Sequence, residues 1–270
     1  MKRIVILTGS ELRHTFLRKA IALNRNIEVL RSYCEGTERQ LGSVIDPADE
    51  GASIQLQHVA ARTMSEEDFF GSFVRLTEDL SNPRTIPKGT INDSPIQEEI
   101  RRLSPELLVA YGCSIIQEPL LSAFKGRFLN VHLGLSPYYR GSGTNFWALV
   151  NDEPEFFGAT FMHMSPEVDK GLIIHQIRAR VFPGDTPHQI GNRLICDVVD
   201  SYAEIINKFE KLGKVEQLSV SSEKYYRQKD FTPESVVRLY ENFDNGLVKR
   251  YLQKCRLGEH LAPIVTNPAI

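Results

Sequence analysis

Asn130, His132 and Asp169 stand within one stretch, Asn130 to Gly171, and together they are side chains that chemistry on a carbonyl requires. Asn130 and His132 are two residues apart in the apolar run FLNVHL, which reads as the end of a strand. The period-two geometry of a strand sends both side chains to one face, where they can act on one atom. Asp169 follows a second β-like run, GATFMHM, in a loop before a third, and can reach the imidazole directly or through a water. An amide donor stabilises a developing oxyanion, an imidazole takes or relays a proton near neutral pH, and a carboxylate orients it. That is an acyl-transfer site. Taken singly, each residue has a plainer role as a turn or hydrogen-bonding group.

The elements that must position these groups are legible from apolar spacing. Arg3 to Leu7 is an apolar run, Thr8-Gly9-Ser10 a turn, and Leu12, Phe16, Leu17, Ala20 and Ile21 recur at helical spacing. A second strand over Ile27 to Tyr33 completes a βαβ unit, so a parallel sheet is expected. The turn lacks GxGxxG, and what remains is a helix N-terminus that could hold a phosphate with Arg13, or a helix simply capped by Ser10. The polar region 36–81 reads as a helical insertion, with a helix opened by Ser65-Glu66-Glu67-Asp68 before Phe69, Phe70 and Phe73. Further along come a short helix from Ile96 to Leu103, a buried strand at Leu107 to Tyr111, and the turn Gly112-Cys113-Ser114 before Ile115 and Ile116. Ligands in open α/β sheets collect beyond the C-terminal strand ends, where this loop and Asn130-His132 both fall. A long helix follows Val181, capped by Asp185 or Thr186, and a last one is expected from Pro233 to Gln253. The expected class is α/β, a Rossmann-like mostly parallel sheet with flanking helices and a short mainly helical C-terminal extension. The division expected is a catalytic domain over 1–200 and an extension over 201–270.

Composition narrows the partners. The 270 residues carry a formal charge of −2 with acids and bases interspersed, which gives no broad positive field for nucleic acid. A local basic patch could still hold a phosphorylated small molecule, and Tyr139 and Arg140 either touch a phosphate or sugar or shape their own turn. Cys34, Cys113, Cys196 and Cys255 form no CxxC pair, which fits a reducing, cytoplasmic setting. The apolar run of MKRIVILTGS is too short for a signal peptide or a membrane span, and no HExxH-like spacing suggests a metal. Tyr225, Tyr226 and Phe231 in the tail could support a homodimer or cover the core.

Asn130-Val131-His132, Leu135-Ser136-Pro137, Arg140-Gly141, Gly158-Ala159-Thr160 and Asp169-Lys170-Gly171 in this order resemble the folate-dependent formyltransferases. That family includes glycinamide ribonucleotide, methionyl-tRNA and nucleotide-sugar N-formyltransferases. Leu133, Ser136 and Lys170 depart from its usual proline, leucine and small residue. The resemblance implies 10-formyltetrahydrofolate as formyl donor, catalysis by Asn130, His132 and Asp169, and a pterin set against Gly112, Cys113, Ser114, Ile115 and Ile116, with Met164 and Val168 opposite. Arg140-Gly141 followed by Thr144 to Ala148 looks most like the nucleotide-sugar branch. The competing expectations are a hydrolase of the same donor, a tRNA formyltransferase and a folate-binding protein with a decayed site. A first strand that begins at once counts against the hydrolase, and a short helical tail against the tRNA enzyme.

Overall fold

Strands that are apolar on both faces need helices on both sides, and the chain is built that way. The structure is a computed structural model that describes residues 1–36, 45–259 and 261–270. Strands β1 (Lys2–Thr8), β2 (Ile27–Glu35), β3 (Pro83–Ile86), β4 (Leu107–Tyr111) and β5 (Phe128–His132) pair in parallel. The short β6 (Tyr139–Gly141) leaves the sheet, and β7 (Gly158–His163) and β8 (Ile173–Arg178) extend it antiparallel. The order is β3-β2-β1-β4-β5-β7-β8, so the chain reverses direction of winding beside β1 and β4. That switch point is where an open parallel sheet leaves a crevice at its C-terminal edge.

Helix α1 (Leu12–Ala22) places Leu17 and Ile21 against Ile4 and Ile6, on the face also covered by α6 (Thr144–Val150) and α7 (Pro187–Lys208). The opposite face packs Val5, Leu7 and Leu108 against α4 (Ser94–Leu103) and α5 (Leu120–Ala123). Each such fully buried Leu or Ile contributes roughly 1.5–3 kcal/mol relative to exposure. Helix α7 starts with the capping box foreseen at Thr186: Gln189 N–H donates to Thr186 Oγ1 at 3.3 Å, and Thr186 N–H donates to Gln189 Oε1 at 2.9 Å.

The insertion holds α2 (Ala52–Glu66), a π-helical turn over Glu67–Gly71, and α3 (Ser72–Leu76). Its stretch 37–44 lies outside the described residues. Ser65 to Asp68 do not open a helix: α2 is already running there and continues through the π turn, because the residues before Ser65 bury the same face. The cap of α1 is Glu11, one residue after Ser10. The tail adds β9 (Lys224–Tyr226), which pairs with β6, then α8 (Pro233–Asp244) and α9 (Leu247–Arg256). The single helix expected from Pro233 to Gln253 is thus broken, at Asn245-Gly246, where Gly246 takes φ +81°. No described helix is long and apolar enough to cross a membrane.

Candidate active site

Strand β5 ends between β4 and β7, with Asn130 opposite Ala110 and Met162 and His132 opposite Thr160. Period-two alternation buries Val131 in the core and turns Asn130 and His132 to one cavity of about 660 Å³, whose wall also includes Asp169. Among the described residues the Asn130 amide has no side-chain hydrogen-bond partner, so its N–H groups are available to a ligand.

The His132 imidazole is 8% exposed and is held through Nε2, with Nδ1 turned to Asp169. Nε2 lies 3.2 Å from the Tyr139 carbonyl and 3.3 Å from Thr144 Oγ1, whose own proton goes to the Leu133 carbonyl. A carbonyl only accepts, so this geometry assigns the proton to Nε2. Nδ1, 3.3 Å from Asp169 Oδ1, is then the nitrogen able to take up a proton, which it would share with the carboxylate.

Asp169 is held by its backbone as much as by its side chain. Its φ of +55° is left-handed, a conformation that costs a non-glycine residue roughly 1–2 kcal/mol. Oδ2 accepts from the Gly141 N–H at 3.0 Å. Gln217 Nε2 donates to the Asp169 carbonyl at 2.9 Å and to the Gly171 carbonyl at 2.7 Å, bracketing the turn. A Cβ at Gly171 would lie 1.7 Å from the His163 carbonyl, so the turn needs glycine there. The sequence pattern Asp-x-Gly is therefore a packing requirement around one carboxylate.

Residues 51–205, more than half of the 270-residue chain, match the formyl transferase family. The chain belongs to that family. Over 137 residues it is 36% identical to a methionyl-tRNA formyltransferase of Desulforamulus reducens, covering 49% of this chain and 43% of that relative. The chain thus spans less than half the length of this curated relative. Among solved structures, phosphoribosylglycinamide formyltransferase from Anaplasma phagocytophilum superposes with a TM-score of 0.56 at 16% identity, covering 84% of this chain and 98% of that one. An N-formyltransferase from Helicobacter canadensis gives 0.55 at 14% identity, covering 89% and 81%. These likenesses establish that the formyl transferase fold extends over most of the chain.

In this family member the loop after β4 and the loop after β7 both border the cavity, which Gly112, Cys113, Ser114, Ile115, Ile116, Met164 and Val168 all line. Gly112, at φ +65°, passes the His14 ring so closely that a Cβ would lie 2.4 Å from Nε2. Glu35, at the end of β2, anchors this loop from beneath. Its carboxylate, 1% exposed, accepts from Ser114 N–H at 2.5 Å, Gly89 N–H at 2.8 Å and Lys88 Nζ at 3.2 Å. Ile115, 66% exposed, and Val168, 39% exposed, form an apolar lip above it. Burial, with the Glu35 charge adding, pushes the Cys113 thiol up to about 12, which makes it no nucleophile at neutral pH.

The structure separates the three residues expected at the acceptor. Arg13 lines the cavity, but its guanidinium is paired with Glu11 and, at 2.6 Å, with Glu66. Tyr139 and Arg140 do not line it. Tyr139 is fully buried, its hydroxyl donating to Glu153 and accepting from Asn151 at 2.9 Å. Arg140 donates to Gln217 Oε1 at 2.7 Å and pairs with Glu223, so it stiffens the Gln217 bracket behind Asp169. Both are drawn inward because β6 pairs with β9 of the tail. Sequence reasoning passed over Glu35, Gln217, His58 and Arg62, read Glu66 only as part of a helix cap, and read His188 as a satisfied or surface histidine. Gln217 lies beyond the family match, and no motif marks it.

Proposed function

We propose that the protein transfers a formyl group from 10-formyltetrahydrofolate to the primary amine of a small-molecule acceptor, a nucleotide-linked amino sugar, by direct attack of the amine. The observation that carries this reading is the Asn130 amide, unpartnered among the described residues, beside the His132–Asp169 pair in one cavity. The donor supplies the formyl carbon. Gly112 to Ile116 with Met164 and Val168 would hold it, since turn backbone and an apolar lip suit a flat ring with a polar edge. A cavity of about 660 Å³ falls in the usual range for small-molecule sites.

The chain's residues then divide the work of the transfer. The amine nitrogen forms a bond to the formyl carbon, the bond from that carbon to its former nitrogen breaks, and the formyl oxygen passes through an oxyanion. The Asn130 amide donates to that oxygen more strongly as charge develops. The proton lost by the attacking nitrogen goes to His132 Nδ1, directly or through a water held by Asp169, and from there to the departing nitrogen, which leaves as a neutral amine and returns His132 to its starting state.

The extension over 201–270 belongs to the catalytic unit in this proposal, because Gln217 brackets Asp169. A cytoplasmic setting accords with a soluble folate donor. For a homodimer through the tail, Tyr225 is the exposed aromatic, at 52%; Tyr226 stacks on Trp147 at 4.2 Å and Phe231 lines the cavity. The Helicobacter canadensis neighbour, in complex with folinic acid and dTDP-3-aminofucose, supports the amino-sugar acceptor, while the 36% identical relative favours a second reading with methionyl-tRNA.

Mass spectrometry of reactions with the donor and either nucleotide-linked amino sugars or methionyl-tRNA tests the choice. A formylated sugar nucleotide is expected. Formylation of the tRNA alone would replace the first reading by the second, and formate as sole product would make the protein a hydrolase.

A further inference from the structure

Away from Asn130 and His132, the cavity wall carries a closed ring of charge. Glu11 caps α1, Arg13 lies in its first turn, and Arg62 and Glu66 are a turn apart on α2. Arg13 pairs with Glu11 and Glu66, and Arg62 pairs with Glu11 at 3.1 Å and with Glu66 at 3.6 Å. Each guanidinium meets both carboxylates, and the charges cancel. A helix N-terminus with nearby arginines is ordinarily an anion site. Here the carboxylates of Glu11 and Glu66 already hold the place that a phosphate would take.

Beside this ring lies a cleft of uncharged groups. The His58 and His188 rings are 4.7 Å apart, Phe146 is 5.4 Å from His58 and 5.3 Å from Phe231, and His58 Nδ1 is 3.1 Å from the Tyr240 hydroxyl. Burial, with positive neighbours including Arg62 adding, takes His58 down to about 3 and His188 to about 4, so both are neutral. His188 Nε2 is buried without a hydrogen-bond partner among the described residues and its side chain lines the cavity, whereas Arg62 Nε is the atom turned to Glu66 at 3.6 Å. An orphaned polar atom in an aromatic wall is what a ligand hydroxyl or carbonyl would satisfy. Of the other lining cations, Lys88 is paired with Glu35, while Arg227 is exposed, with its guanidinium 5.9 Å from the Tyr225 ring and paired with no carboxylate among the described residues.

We infer that the acceptor places an uncharged, hydroxyl-bearing ring in the cleft of His58, Phe146, His188 and Phe231, with its phosphates at Arg227. The Glu11–Arg13–Glu66–Arg62 ring then excludes acceptors that would put a phosphate at the start of α1. This rests on the formyl-transfer reading for the word acceptor, but its test requires no transfer.

The test is calorimetric titration of the whole chain with phosphoribosylglycinamide and with the same molecule lacking its phosphate. Wild type binds the dephosphorylated probe at least as tightly as the phosphorylated one. Glu66→Gln or Glu11→Gln uncovers a guanidinium and turns the preference toward the phosphorylated probe by roughly tenfold, the affinity equivalent of one hydrogen bond to a charged group. His188→Ala weakens both probes alike. Arg227→Ala weakens a nucleotide-linked amino sugar by roughly tenfold more than it weakens the dephosphorylated probe. The inference is overturned by a wild type that prefers the phosphorylated probe or fails to bind the dephosphorylated one at millimolar concentration. It is equally overturned if both glutamine variants, folded by circular dichroism, keep the wild-type ratio, or if Arg227→Ala affects both ligands equally. Intact binding ratios with no formyl transfer would leave the cleft standing and remove the formyl-transfer reading alone.

Discussion

The wall formed by residues 112–116 and 164–168 is made of backbone turns at strand ends, whereas the facing wall is made of side chains from α1, α2 and α7. The first is shaped by Gly112 and tied down by one buried carboxylate, Glu35. The second is shaped by ion pairs and rings whose identity can change without disturbing the sheet beneath. Between them, Asn130, His132 and Asp169 combine both methods, with two residues fixed by a strand and one by a strained turn. A wall of backbone can serve one constant ligand, and a wall of helix side chains can be rewritten for different ones. In this protein the donor would take the first and the acceptor the second.

The largest effects are expected where the walls meet. Asn130→Ala, His132→Ala and Asp169→Asn should each lower kcat by roughly 10²–10³ while the circular dichroism spectrum is kept. Near-normal turnover in all of them would leave the comparison without a centre. Gln217→Ala should lower kcat by roughly tenfold through release of the Asp169 turn, with KM for both substrates held; a loss seen only as a lower Tm would make Gln217 merely structural. Glu35→Gln should raise KM for the donor a few-fold and leave KM for the acceptor alone. An equal rise in both would show that the walls are not independent.

The smallest effect concerns stability. The folded-state pKa values of His58 and His188, about 3 and about 4, lie below the ordinary 6.5. The unfolded chain therefore binds protons that the folded one does not, and stability falls as pH drops below 6.5 toward those values. His58→Asn with His188→Asn should flatten the fall in Tm across that window; an unchanged slope would mean that the cleft histidines do not govern it.

The same contrast explains what was legible in the sequence. The Asn130-x-His132 spacing, the β1–α1–β2 opening and the Thr186 cap are local patterns, and local patterns with a fixed period survive reading. The strand-end loop at Gly112 was visible for that reason. The ion pairs of Arg13 were hidden because its partner Glu66 is distant in the chain and no periodicity joins them. For Tyr139 and Arg140 the choice between ligand contact and turn-shaping stayed open in the sequence, because their inward turn depends on β9 in the tail. Gln217 was invisible, being an isolated polar residue in an irregular segment. Ser65 to Asp68 resembled a helix start because a capping pattern does not reveal that the helix is already under way.

The central claim is that Asn130, His132 and Asp169 move a formyl group onto an amine, and the release of tetrahydrofolate from 10-formyltetrahydrofolate, followed with and without nucleotide-linked amino sugars, tests it most directly. Release is expected to need one of these amines and to be lost in Asn130→Ala. Release that proceeds equally without any amine, or that Asn130→Ala leaves intact, would contradict it.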